Sequence, residues 1–291
     1  MKKIVMIFLM SVVLTGCTLH TDDKTFVKNI YFSLQDNLYS VTVQSYDFSH
    51  DEESYISKTF SGNDLKSTVV SASDSEKYNF RLCENVFVST LLLQNNTNEV
   101  FSVINSLKIP PNTDIACVLG DVTDCVNQTD SNINTKLYDF SQVSGKYSGI
   151  IALADSTGKD MGAVIIENGF PVKHLTENQW KVLNILTDKL SETSFIFKDK
   201  QLLCEIENIS CFYSVSDVLE INITFSIKDY KGIVDSVNSM DLFRKTLVNE
   251  IENTVYQLYN DIIVCQNCNL YWYCKQKGAD CSTINVNVKT I

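Results

Sequence analysis

Proline and glycine are scarce in this 291-residue chain, with 3 and 10 respectively, and histidine is scarcer still for an enzyme, with three. The first shortage argues against a collagenous, low-complexity or disordered chain, the more so because 44% of the residues are hydrophobic. No repeat of fixed period is present. A histidine-based triad or zinc hydrolase would have to use His20, His50 or His174, and none has an identifiable partner. Basic residues are also in deficit, 24 against 35 acidic ones, for a formal net charge of −11. Such a surface is repelled by phosphate backbones and anionic headgroups, which disfavours nucleic acid as a partner and electrostatic adhesion to lipid. The run from Ile4 to Leu14 is mostly apolar but too short for a bilayer core, which needs about 20 helical residues.

What is present begins with that run. It follows Lys2-Lys3 and leads into Leu14-Thr15-Gly16-Cys17, which fits a secretory signal with a positive start and a short apolar centre. The end of the segment resembles the lipobox of bacterial lipoproteins: a branched apolar residue, a small residue, Gly or Ala, then Cys. The resemblance covers residues 1–17. It implies that residues 1–16 are a cleaved signal peptide and that the Cys17 thiol receives a diacylglycerol group. The new amino terminus is then open to further acylation, a palmitate-like second chain. Two acyl chains suffice for stable anchoring, at about 0.8 kcal/mol per buried methylene. Thr18 stands where an inner-membrane retention signal would place Asp. The expected location is therefore the cell envelope, on the outer side of the cytoplasmic membrane or in the outer membrane.

Export changes how ten cysteines are read, because the space outside the cytoplasm is oxidising. With Cys17 spent on lipid, an odd number remains. Cys117 and Cys125 bracket a Gly-Asp-rich turn, and Cys204 and Cys211 look like two sides of a hairpin, so each pair is a disulfide candidate. The tail carries Cys265, Cys268, Cys274 and Cys281. Four thiolates could hold zinc, but an oxidising space favours two disulfides over a metal site, with the pairing open. A redox role for Cys265 and Cys268 lacks the helix N-terminus that would activate a thiol, since the pair follows a helix. Cys83 is left as the unpaired, buried thiol. No cofactor and no metal is expected.

Residues 17–25 read as a lipidated tether, 26–140 as an N-terminal α+β domain, and 141–291 as a C-terminal α+β domain with a Cys-rich tail. Phe26, Ile30 and Leu34 predict a helix to about Asp36, and alternation predicts a strand over Tyr39 to Tyr46. Asp47 to Ser75 reads as a long loop with one weak strand near Thr68 to Val70, Glu76 to Leu93 as a helix, and Val100 to Ile104 as a strand. Ile150 to Ala154 and Ala163 to Ile166 flank Ser-Thr-Gly-Lys-Asp as a hairpin. Thr176 with Gln179 forms a capping box for a helix over Glu177 to Leu190. Met240, Phe243, Leu247, Ile251, Val255, Leu258 and Ile262 mark the clearest helix, which Ser239 can cap, and Ile284 to Val288 alternate as a final strand. The fold class this predicts is α+β: mixed sheets with packed amphipathic helices, stapled by disulfides.

One pattern bears on catalysis. Ser156-Thr157-Gly158-Lys159 with Ser236-Val237-Asn238 resembles the Ser-x-x-Lys and Ser-x-Asn elements of penicillin-binding proteins and serine β-lactamases. That resemblance implies Ser156 as nucleophile and Lys159 as its activating base. The chain departs from it in having only Lys289-Thr290-Ile291 for the third element, and in placing Ser156 in a hairpin instead of at a helix start. Asp47, Asp51, Glu52 and Glu53 read as a solvated acidic loop in preference to a calcium site. Tyr271-Trp272-Tyr273 reads as core in preference to an exposed recognition patch. The leading expectation is a membrane-anchored, non-enzymatic binding or assembly component of the bacterial envelope with a protein partner there. The alternative is a serine acyl-enzyme.

Overall fold

A computed structural model of the chain describes residues 25–49, 54–120, 135–197, 202–215, 218–232, 240–264 and 284–291. It opens with a three-strand meander, β1 (Val27–Gln35), β2 (Leu38–Asp47) and β3 (Ser54–Gly62), followed by α1 (Leu65–Glu76). Asp36 and Asn37, at φ 50° and 62°, form the two-residue turn between β1 and β2. Two positive φ angles suit the right-handed twist of a tight hairpin. Next come β4 (Asn85–Ser89), α2 (Thr90–Ser106), β5 (Asp114–Val118), β6 (Ser141–Val143), β7 (Lys146–Ala154), β8 (Asp160–Glu167) and β9 (Phe170–Leu175).

These nine strands form one sheet in the order β3-β2-β1-β4-β5-β7-β8-β9, with β6 pairing β7. Its centre, β1-β4-β5-β7, is parallel, and both flanks are antiparallel. Strands from either side of residue 140 therefore share one sheet. After α3 (Glu177–Leu186), a second sheet is built from β10 (Glu192–Phe197), β11 (Leu202–Val215), β12 (Leu219–Gly232) and β13 (Ile284–Thr290). Helix α4 (Met240–Val264) lies between the parallel strands β12 and β13 in the chain and packs against β13.

Two apolar clusters divide the first sheet by face. Ile30, Phe32, Val86, Val88, Ile115 and Val164 face α1 and α2. Tyr31, Phe87, Ala116 and Ala163 join α3, α4 and the second sheet in the other cluster. Every residue of α3 from Trp180 to Leu186 is buried, as expected of a short helix packed between two sheets. It is also bonded to the second sheet: the Asn178 side-chain amide donates to the Ile196 carbonyl of β10 at 2.9 Å, and the Tyr213 hydroxyl of β11 donates to the Leu186 carbonyl of α3.

The expected α+β, disulfide-stapled class needs correction. Among the described residues 51% lie in strands and 30% in helices, in two mixed sheets without a disulfide. Val27 to Gln35 is a strand where a helix from Phe26 to about Asp36 is predicted. An interior strand covered on both faces buries successive residues, here Val27 through Phe32, and so loses the alternation that marks a half-exposed strand. The same reason accounts for β4, where a helix is predicted. Val100 to Ile104 lies within α2, and the acidic stretch from 54 to 76 holds β3 and α1. There the Asp64 carboxylate caps α1 by accepting from the Ser67 amide at 2.8 Å. The strand over Tyr39 to Tyr46, the Ile150–Ile166 hairpin, and the helices started at Glu177 and Met240 are found where the periodicity places them.

Cys204 and Cys211 both lie on β11, so they are not opposite sides of a hairpin. Seven residues of strand separate them by roughly 20 Å, several times the Cα separation a disulfide spans. The misread turn is a bulge: β11 shifts register between Glu207 and Ser210, with Asn208 at φ 53°. Cys83, Cys117, Cys204 and Cys211 are free thiols. Cys125 and the four tail cysteines lie outside the described residues.

Candidate functional site

The entry of the chain into the fold is held on both sides. The Thr25 carbonyl accepts from the Asn79 amide at 2.8 Å, the Asn79 carbonyl accepts from Val27 at 3.0 Å, and the Phe26 carbonyl accepts from Tyr46 at 3.0 Å. Whatever precedes Thr25 is thus joined directly to an interior strand. Just inside, a polar row crosses β4, β1 and β2. The Asn85 amide donates to Asn29 at 2.8 Å, and the Asn29 amide donates to Gln44 at 2.6 Å. Asn29 and Gln44 are buried, and a hydrogen-bonded row of this kind fixes strand register as well as satisfying the groups. At its end Lys28 donates to the Tyr55 hydroxyl at 2.7 Å and lies 4.2 Å from the centroid of the Tyr55 ring. Tyr46 donates to Glu84 at 2.6 Å. Sequence reasoning misses this cluster, although Thr42, Gln44 and Tyr46 recur at period two on one face of β2.

The sequence-predicted residues are dispersed. Cys17, Ser236, Asn238, Asp51, Glu52, Glu53 and Tyr271 to Tyr273 lie outside the described residues. Ser156 and Lys159 lie in the turn between β7 and β8. There the Asp155 carboxylate accepts from the Thr157 amide at 2.8 Å, the Thr157 hydroxyl at 2.6 Å and the Lys159 amide at 3.0 Å. The Thr157 hydroxyl foremost holds the Asp155 carboxyl below its usual range. Gly158, at φ 75°, closes the turn. The Ser-x-x-Lys chemistry needs both side chains on one turn of helix with the lysine desolvated, so that the amine can take the serine proton. Here Lys159 is exposed on an Asp-centred turn, which does not supply that arrangement.

The next residues do form a partly buried charged cluster. Lys181 on α3 pairs with Glu177 one turn earlier and donates to the Ser194 carbonyl of β10 at 2.6 Å. Asp160 accepts from the Gly162 amide at 2.8 Å. Burial pushes the Asp160 carboxyl up to about 6, while the Gly162 amide and Lys181 pull it down and Glu177 pushes it further up.

In the unfolded chain this carboxyl titrates near 3.9. Above pH 6 the native state therefore carries a desolvated charge, and that cost is relieved as pH falls from about 6 to about 4. The linkage is worth roughly 2–3 kcal/mol. Asp160→Asn, whose carbonyl can still accept from Gly162, should stabilise the protein by about 2 kcal/mol at pH 8 and by nearly nothing at pH 4. Urea denaturation at both values checks this, and an equal shift at both would show that the carboxyl titrates normally.

Burial likewise pushes Cys83, Cys117 and Cys204 up to about 12 and Cys211 to about 11. At neutral pH they are thiols, which makes them poor nucleophiles and poor metal ligands. No group of three His, Cys, Asp or Glu side chains among the described residues is placed to share a metal ion.

No family model and no curated protein matches the chain. Two chains among solved structures do. One is the GerBC protein, 16% identical, covering 90% of this chain and 96% of its own, at a TM-score of 0.49. No residue role transfers at that level of likeness. No described helix is long and apolar enough to cross a membrane.

Proposed function

We propose that the protein is an exported lipoprotein held at the bacterial envelope through Cys17, where it acts as a binding or assembly component without catalysis of its own. The observation that carries this reading is the direct passage of the chain at Thr25 into an interior strand, held by Asn79 on one side and Tyr46 on the other. A lipid on Cys17 would then fix a large, rigid sheet a short distance from the bilayer. Support also comes from the Ser156–Lys159 turn, whose Asp155-centred hydrogen bonds leave no acyl-transfer arrangement. With the chain's net negative charge, the lipid supplies the hold on the membrane and the folded surface is left for an envelope protein partner.

Cys17→Ala tests the anchor. The parent should fractionate with membranes and show an amino-terminal peptide heavier by a diacylglycerol. The variant should lose that mass and be found in the soluble fraction. A parent chain without lipid, or a variant that stays in the membrane pellet, would overturn the reading. In the lipidated parent, gentle crosslinking should recover a defined envelope protein.

A further inference from the structure

We infer that an aromatic face beside the chain's entry point rests on the bilayer surface itself, an inference that depends on the Cys17 anchor. Phe48 is 75% exposed at the end of β2. Its ring lies 6.3 Å edge-on from Phe26 and 5.9 Å from Tyr46, on which it stacks. Tyr46 meets Tyr55 at 5.7 Å, and Lys28 lies over the Tyr55 ring. The cluster is amphipathic: Phe48 is exposed and Phe26 half-buried, while the Lys28 ammonium donates to the Tyr55 hydroxyl and the Tyr46 hydroxyl donates to Glu84. Rings of this kind partition to the boundary between headgroups and acyl chains.

The tether decides the occupant. From Cys17 to Thr25 the chain spans at most about 30 Å even when fully extended, and Phe26 is the next residue. A lipid on Cys17 therefore keeps this face close to the membrane and limits how far the fold can turn away. Electrostatics selects the kind of surface. Asp47 is adjacent to Phe48, in a chain of net charge −11. Anionic headgroups repel such a face, whereas a zwitterionic surface admits the rings.

The experiment uses the full lipidated protein in phosphatidylcholine vesicles, with and without brominated acyl chains. Phe48→Trp is compared with Phe170→Trp, which is 62% exposed on β9 at the far edge of the same sheet. Fluorescence of Trp180 and Trp272 in the parent is subtracted. Brominated lipid should at least halve the added emission of Phe48→Trp and leave Phe170→Trp within a tenth of its value. Replacing a third of the lipid with phosphatidylglycerol should reduce the quenching of Phe48→Trp. Vesicle-bound protein in which the two variants are quenched equally, or not at all, overturns the membrane face alone. A chain that does not float with vesicles and carries no lipid overturns the anchor, and this inference falls with it.

Discussion

Trp180→Ala should lower the stability of the whole protein by about 3–5 kcal/mol, the cost of a large cavity at a site that cannot collapse. Trp180 is 4% exposed on α3, in the cluster that runs from Ala163 and Ile165 of the first sheet to Phe225 and Val286 of the second. Neighbouring positions on α3 cannot readily close the gap, because Val182, Leu183 and Ile185 are themselves fully buried in the same cluster. Domains of this size are stable by about 5–15 kcal/mol, so the loss is a large share of the total. Because one cluster joins both sheets, urea unfolding should remain a single transition displaced to lower denaturant, with fluorescence and circular dichroism coincident. Two transitions, only one of them displaced, would show that the sheets unfold independently.

Gly162→Ala should be comparably damaging for a different reason. Gly162 sits at φ 111°, and a Cβ there would meet the Leu175 carbonyl oxygen at 2.0 Å and the Thr176 carbonyl carbon at 2.8 Å. Both obstacles are backbone, at the junction where β9 turns into α3, so no rotamer change relieves them. The substitution should cost about 3–5 kcal/mol, through strain at a left-handed position added to displacement of the α3 cap. Gly145, at φ 77° with nothing within 4 Å of its Cβ position, is the control. Alanine there should cost about 1 kcal/mol. Thermal melts of the two variants side by side check the contrast, and similar losses would show that the close approach at Leu175 is not real.

Legibility in the sequence follows from burial geometry. Helix α4 is readable because it buries one stripe, Phe243, Leu247, Ile251, Val255 and Leu258, and β13 because Ile284, Val286 and Val288 alternate with exposed residues. The start of α3 is readable from Thr176 and Gln179, whose reciprocal hydrogen bonds are local. Strands β1 and β4 are not readable, since neighbours on both faces bury consecutive residues and remove the period. Helix α1 is hidden by its composition: among its described side chains only Leu65, Thr68, Val69 and Ala72 are buried. The Lys28–Tyr46–Tyr55 cluster depends on the pairing of β2 with β3, and Asn29–Gln44–Asn85 on that of β1 with β2 and β4. Sequence spacing has no access to either. The charged group around Asp160 has a local trace in Glu177 and Lys181 at one-turn spacing, but the bond from Lys181 to the Ser194 carbonyl of β10 is not readable from spacing.

The bonds that hold Thr25 to Val27 also determine how the molecule bears a load. Strand β1 runs away from the tether between an antiparallel neighbour, β2, and a parallel one, β4. If Cys17 carries the proposed lipid, a pull from the membrane would act along this strand, so the ladders on either side would be sheared together and could not open one bond at a time as they would at a free edge. Drag on a bound partner would then be transmitted to the lipid through the most firmly embedded part of the sheet. On the proposed anchoring, the acyl chains would leave the bilayer before β1 leaves the fold.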